Sequence, residues 1–86
     1  MNINELIANV KKKLDQNIGA ENIFIEDKTF LHKNHASHDH TKFHLKIKIF
    51  SKELKALNKI ESNKKIYKIL DHEIKTYIHS LQILII

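Results

Sequence analysis

Histidine is the residue type in this sequence whose clustering points most directly to chemistry. Five of the seven histidines fall between residues 32 and 44, and four of these share one polar segment, namely His32, His35, His38 and His40. Neutral imidazole is the commonest protein metal ligand, and the spacings H-x-x-H and H-x-H recur in metal sites. From spacing alone, a polar surface segment that binds metal only adventitiously is still favoured, because ordering a long segment around an ion costs conformational entropy.

A further histidine, His79, opens an apolar segment rich in β-branched residues. It has the strand parity of Leu81 and Ile83, which predicts that its side chain leaves at the edge of a largely apolar face. On these residues alone, a structural histidine is favoured over a metal ligand. His72 lies late in a predicted helix, where a cation suits the helix dipole, and needs no functional explanation.

The other residue types exclude most enzymatic sites. The chain has no cysteine, which excludes disulfides, a thiol nucleophile and an all-thiolate metal site. Gly19 is the only glycine, so there is no glycine-rich phosphate loop. Asp71 and Glu73 are two positions apart on a predicted helix and point to different sides. We therefore predict that the protein is not an enzyme.

The net charge of +5 comes from 15 basic residues, all of them lysine. A basic chain can bind nucleic acid or acidic partners, but lysine lacks the bidentate fork with which arginine recognises guanine and phosphate. Lysine, isoleucine and asparagine are all abundant here, so genomic base composition explains the charge and it carries little functional weight.

The first predicted element is a helix, because apolar residues recur at helical spacing from Ile3 to Leu14. Asn2 or Asn4 is predicted to cap its start, and Gly19 to end it in a left-handed conformation.

Two strands follow, separated by a polar segment without periodicity. Asn22 to Asp27 alternates between Ile23 and Ile25 on one face and polar or aromatic side chains on the other. Lys42 to Phe50 alternates more cleanly, which predicts a half-buried strand with one wet face. The segment between them, residues 27 to 41, is a long loop for a small domain, and loops of this length are usually functional or disordered.

The remaining elements are a helical turn within Ser51 to Leu57, a helix from about Lys59 to Ile74 and a strand from Ile78 to Ile86. The 86 residues are predicted to form a single small α+β domain over residues 1–86, of order αββααβ. A strand–helix–strand crossover gives a parallel pair, so we expect a mixed three-stranded sheet with the helices packed on one face. No apolar run approaches membrane-spanning length and no secretory signal is visible, which favours a cytoplasmic location without a membrane partner.

Two segments on this element order resemble the BolA family, whose members are small αββααβ domains with a class II KH-like topology. DKTFLHKNH, residues 27 to 35, resembles the family's D-x-S/T-x-x-H-x-x-H at the start of the loop, and IHSL, residues 78 to 81, resembles its V/I-H-A/S-L strand. Ser51 matches a family serine that precedes F-x-G, and Tyr67 matches the tyrosine that follows R-H-R. Lys42 and Asn63 replace family histidines.

The resemblance implies a non-catalytic partner of a monothiol glutaredoxin, acting in iron–sulfur cluster trafficking or in iron or redox regulation. In such heterodimers a [2Fe-2S] cluster is shared: the glutaredoxin and glutathione supply thiolates, and the BolA protein supplies a strand histidine and a loop ligand. Carried onto this chain, the strand ligand is His79 and the loop ligand is His32, with His35 as the alternative. The isolated chain is expected to be a monomer that binds no cluster. With this resemblance, a functional ligand becomes the favoured interpretation of His79.

The alternative function is that of a DNA-binding transcription regulator, which the resemblance also implies for some members. The sequence has no GxxG loop and no arginine. A basic KH-like surface could still bind phosphate without sequence preference through Lys42, Lys46, Lys48, Lys52, Lys55 and Lys59.

Overall fold

The computed structural model describes residues 1–29 and 42–86, which form four helices and a three-stranded sheet. In chain order the elements are α1 Ile3–Asn17, β1 Asn22–Asp27, β2 Phe43–Phe50, α2 Lys52–Lys55, α3 Lys59–Ile69, α4 Asp71–Thr76 and β3 Ile78–Ile85. The predicted α+β class is confirmed. Across the two described ranges, no helix is long and apolar enough to cross a membrane.

Strand β2 lies at the centre of the sheet, antiparallel to β1 and parallel to β3. Leu45, Ile47 and Ile49 of β2 are buried on the face against which the helices pack. We call the opposite face of the sheet, which carries His44, Lys46 and Lys48, the outer face. The expected mixed sheet is therefore confirmed, and the alternation of β2 is the reason for its two different faces.

Helix α1 begins at a cap, where the Asn2 side chain accepts a hydrogen bond from the Glu5 backbone N–H at 2.8 Å. The prediction that Gly19 ends this helix in a left-handed conformation is wrong, since no residue in the described ranges has that conformation. The helix ends instead at Ile18, which is extended, is buried and still donates its N–H to Leu14 O at 2.9 Å. Burial of Ile18 in the core thus directs the chain towards β1.

The single helix predicted from about Lys59 to Ile74 is also corrected, because helical geometry is interrupted at Leu70. Its φ and ψ are −98° and 16°, and it separates α3 from α4. Leu70 is fully buried in the core and donates its N–H to Ile66 O at 3.0 Å. Periodicity did not predict the break because the apolar stripe continues across it.

Glu73 of α4 is a buried carboxylate that joins this helix to α1. Lys13 Nζ lies 2.6 Å from its Oε2 and 2.9 Å from its Oε1, and Asn9 Nδ2 donates to Oε2 at 2.8 Å. Burial raises the pKa of Glu73. The hydrogen bond from Lys13, a hydrogen bond from the Glu73 backbone and the charges of Lys13 and His72 together outweigh this effect, so the pKa lies below its ordinary value. The carboxylate is therefore ionised and paired at neutral pH.

Ser51, between β2 and α2, is a buried side chain that holds three segments together. Its hydroxyl accepts a hydrogen bond from the Leu54 N–H at 3.2 Å and donates to Gly19 O at 2.7 Å, while its own N–H donates to Ile86 O at 3.2 Å. The turn predicted here is the short helix α2, which starts at this cap.

Candidate functional site

The N-terminal ends of β2 and β3 lie side by side, because these two strands are parallel. His44 is the second residue of β2 and His79 is the second residue of β3. Their ring centroids are 5.0 Å apart, with the ring planes inclined at 41°. Two imidazoles that are distant in sequence thus meet at one end of the sheet.

A β-bulge determines the direction of His79. Phe43 pairs with Ile78 and His44 pairs with Ser80, so β3 has one extra residue, His79, between the two pairs. The parity argument, which placed His79 on the apolar face with Leu81, is therefore wrong. His79 is exposed and lies beside His44, whereas Ile78 before the bulge remains buried.

His44 is the site residue to which sequence reasoning assigned no role. The residue is only 6% exposed, and its Nδ1 is hydrogen-bonded to Ser80 Oγ at 2.6 Å. The available signal was the position of His44 on the wet side of β2, where a histidine among lysines stands out. Recognising the pair also required the register between β2 and β3, which alternation alone does not specify.

The start of the histidine-rich segment is anchored at the same end of the sheet. Lys28 N–H donates to His44 O at 2.7 Å, and His44 N–H donates to Thr29 Oγ1 at 3.2 Å. Thr29 is held in turn by Asp27 Oδ1, which accepts hydrogen bonds from its N–H at 2.9 Å and from its hydroxyl. The D-x-T sequence therefore forms a turn that starts the segment beside His44 and His79.

The proposed loop ligands His32 and His35 lie outside the described residues, as do His38, His40 and most of the predicted loop. Within residues 1–29 and 42–86, no group of three or more histidine, cysteine, aspartate or glutamate side chains could hold a metal ion. His72 is exposed on α4, where its ring makes an edge contact with Tyr77 at a centroid distance of 6.1 Å.

The charge near the site is mainly positive. Glu26 of β1 is paired with Lys28 at 2.9 Å. The hydrogen bond and charge of Lys28, followed by the charges of Lys46 and Lys48, lower the pKa of this carboxyl. An anionic partner that approaches the outer face would meet Lys46 and Lys48, while the charge of the Glu26 carboxylate is already compensated by Lys28.

The six lysines considered for nucleic acid fall in two places. Lys42 precedes β2 and Lys46 and Lys48 lie on its outer face, whereas the other three belong to the helices: Lys52 and Lys55 to α2 and Lys59 to α3. Lys55 and Lys59 line a groove of about 370 Å³ beside β3. Its apolar wall includes Ile83 and Ile85, so this groove combines two cations with an apolar surface.

Two further residues of the resemblance have structural positions. Ser51 is the buried cap described above, which accounts for a serine at this place. Tyr67 of α3 donates from its hydroxyl to Leu81 O at 3.4 Å, and so links α3 to β3.

Comparisons with known proteins agree with this fold. The family model of the BolA-like proteins matches residues 14–86. No curated protein sequence matches the chain. Among solved structures, BolA1 from Arabidopsis thaliana is similar with a TM-score of 0.77 and 26% identity, over 93% of this chain and 88% of that one.

Two more solved structures share the fold. The BolA domain of SufE1 from Arabidopsis thaliana has a TM-score of 0.76 and 24% identity, covering 91% of this chain and 86% of that domain. BolA1 from Mus musculus has a TM-score of 0.73 and 18% identity, over 92% of this chain and 62% of that one. Because the family model matches residues 14–86, which are most of the sequence, the chain belongs to the BolA family.

Proposed function

We propose that the protein is a non-catalytic, cytoplasmic partner of a monothiol glutaredoxin, with which it shares a [2Fe-2S] cluster for iron–sulfur trafficking or iron and redox regulation. His79 is the strand ligand and His32 the loop ligand, with His35 as the alternative. One observation carries the proposal. The exposed imidazole of His79 stands on a bulge beside the anchored start of the segment that contains His32.

The available donors fit a cluster that is shared rather than resident. The chain has no cysteine, and its described residues hold no group of three metal-binding side chains. An iron–sulfur cluster needs four protein or thiol ligands, so a partner must supply the remainder. Neutral imidazoles in place of thiolates make a cluster less negative and raise its potential, as in Rieske-type ligation.

Chain length supports His32 as the first choice of loop ligand. His32 follows the anchored Thr29 by three residues, so its Cα lies within about 11 Å of that of Thr29 at full extension. His35 has twice this tether. The shorter tether reduces the conformational entropy lost when the ligand approaches His79.

A titration of the purified chain into a glutathione-bound, cluster-loaded monothiol glutaredoxin tests the proposal. We expect the visible absorption and circular dichroism of the cluster to change and to saturate at one-to-one stoichiometry. His79→Ala should abolish the change, while His72→Ala, an exposed histidine outside the site, should leave it intact. An unchanged spectrum with the native chain, or an unaltered response in His79→Ala, would refute the shared cluster.

The same titration assigns the loop ligand. We expect His32→Ala to remove the spectral change and His35→Ala to preserve it. The reverse result would make His35 the ligand without affecting the role of His79.

A second candidate function, non-specific DNA binding, is favoured by the groove that Lys55 and Lys59 line beside β3. If it operates, binding of a DNA duplex should weaken steeply between about 50 and 200 mM salt and show little sequence preference. Lys55→Gln and Lys59→Gln should each reduce the slope of log affinity against log salt by about 1, and Lys12→Gln on the exposed side of α1 should not. Strong base discrimination at high salt would contradict this candidate.

A further inference from the structure

We infer that His44 is a positioning residue that ties the candidate ligand His79 to the start of the histidine-rich segment; this inference rests on the proposed function of His79 and deepens it. His44 is buried, although it belongs to the polar side of β2. A buried polar side chain needs hydrogen-bond partners, and His44 contacts both β3, which carries His79, and the start of the histidine-rich segment at Lys28 and Thr29.

The side chain of His44 contacts β3, the strand that carries His79. Its Nδ1 is hydrogen-bonded to Ser80 Oγ at 2.6 Å, and Ser80 is the residue next to His79. Its ring also lies against the His79 ring, with a centroid distance of 5.0 Å. Since the bulge leaves His79 outside the pairing of β2 with β3, these contacts restrict the orientations of the exposed imidazole.

The backbone of His44 is hydrogen-bonded to Lys28 and Thr29, at the start of the histidine-rich segment. Its carbonyl accepts from Lys28 N–H at 2.7 Å, and its N–H donates to Thr29 Oγ1 at 3.2 Å. A displacement of His44 would therefore move the anchor of the segment that supplies the loop ligand and the support of His79 together. Groups that orient a metal ligand typically change metal affinity 10–100-fold when they are removed.

The first test measures the orientation of His79 in the free chain by NMR. In the native chain we expect nuclear Overhauser effects between the His44 and His79 ring protons and side-chain carbon shifts of His79 that differ from those of an unconstrained histidine. Ser80→Ala keeps both rings and removes the hydroxyl, and should weaken the ring–ring effects. Ser80→Thr restores a hydroxyl and should recover them, and Gln82→Ala, an exposed residue further along β3, should leave them unchanged.

The second test is the glutaredoxin titration described above. His44→Leu and Ser80→Ala should each raise the chain concentration at half-maximal spectral change about tenfold. His44→Asn, which presents a polar atom close to the place of Nδ1, should recover part of the loss. The double variant His44→Leu/Ser80→Ala should be no worse than His44→Leu alone, because His44→Leu already removes the hydrogen bond that Ser80→Ala removes.

The two tests separate this inference from the proposed function. Unchanged His79 ring signals in Ser80→Ala and a half-maximal concentration equal to that of the native chain would overturn the positioning role while leaving the shared cluster intact. A native chain whose ring signals respond as expected but that never alters the cluster spectrum would refute the cluster function instead. If His44→Leu does not fold, Ser80→Ala decides the question, since Ser80 is exposed.

Discussion

At the scale of single residues, the contact between Glu73 and Lys13 is the most buried of the ion pairs that the described residues form. The Glu73 side chain is 1% exposed and that of Lys13 is 34% exposed, so the carboxylate depends on the ammonium group for its charge compensation. Asn9 satisfies a second position on the same carboxylate.

We expect Lys13→Met to lower the free energy of unfolding at pH 7 by about 2–3 kcal/mol, because the Glu73 carboxylate stays buried without its cation. The loss is smaller than for a fully buried pair because Lys13 is partly exposed. Urea denaturation measures this loss. Lys12→Met, at an exposed neighbouring position, should have little effect. A loss of equal size in both variants would show that the contact is not responsible.

The same pair predicts a pH dependence. The pKa of Glu73 is lower in the folded protein than its ordinary value of 4.5, so its stabilising effect is present above pH 4.5 and is lost as the pH falls through the folded pKa. The difference between the native chain and Lys13→Met should therefore shrink in acid, where the neutral carboxyl no longer needs a cation. Denaturation curves at a series of pH values check this, and a difference that grows in acid would contradict it.

The candidate site was predictable at this scale only in part. The resemblance identified His79 from a four-residue motif, but simple alternation gave it the wrong direction, because a bulge inserts one residue between two strand pairs. His44 could not be assigned without the pairing of β2 with β3. This pairing joins residues 36 positions apart, and single-strand patterns contain no information on such registers.

At the scale of elements, the connection between β2 and α2 depends on Ser51. Its hydroxyl caps α2 and also donates to Gly19 O, while Glu53 Oε2 accepts from the Gly19 N–H at 2.7 Å. The Gly19 hydrogen bond, together with that of Lys65, lowers the pKa of Glu53. The segment after α1 is thus fixed to Ser51 and Glu53 through both backbone polar atoms of one residue, Gly19.

Ser51→Ala should cost about 2 kcal/mol, because it removes a buried cap and leaves the Gly19 carbonyl without the hydroxyl that donates to it. Thermal or urea denaturation measures the loss. Asn2→Ala removes the exposed cap of α1 and should cost only about 0.5–1 kcal/mol. Equal losses of stability in Ser51→Ala and Asn2→Ala would mean that a buried cap contributes no more to the free energy of unfolding than an exposed one.

Element types and order were predictable, because periods of 3.6 and 2 are visible in short windows of sequence. The interruption at Leu70 was not, since Leu70 is apolar, buried and fits the helical stripe on both sides. The path of the chain at Gly19 was missed for a related reason. The chain turns there because Ile18 is buried, and no residue of the described ranges adopts the left-handed conformation that glycine favours.

At the scale of the whole molecule, one row across the outer face combines apolar and charged side chains. Phe24 of β1 and Leu84 of β3 both pair with Lys48 of β2 and are 49% and 43% exposed. The next row contains Glu26, Lys46 and Gln82. Lys48 therefore separates two exposed apolar side chains, and the net charge of +5 opposes the approach of a second copy.

We expect the isolated native chain to be a monomer and Lys48→Leu, which creates a continuous apolar row, to self-associate. Light scattering after size-exclusion chromatography measures the mass of each. Lys46→Leu makes the same substitution between polar neighbours and should remain monomeric. A native dimer, or association that is equal in the two variants, would show that this row does not govern self-association.

In the described parts of the chain, strand β3 is hydrogen-bonded to the sheet along one side, through β2. Edge elements open locally at a lower free energy than the global unfolding, and each such opening would carry His79 and Ser80 away from His44. A ligand that binds only the closed arrangement must therefore suppress opening by RT ln(1 + [L]/Kd). The amide protons of β3 should therefore exchange with solvent more slowly once a partner has bound at His79. The exchange rate of β3 and the fraction of His79 sites occupied then report the same equilibrium between the open and closed strand.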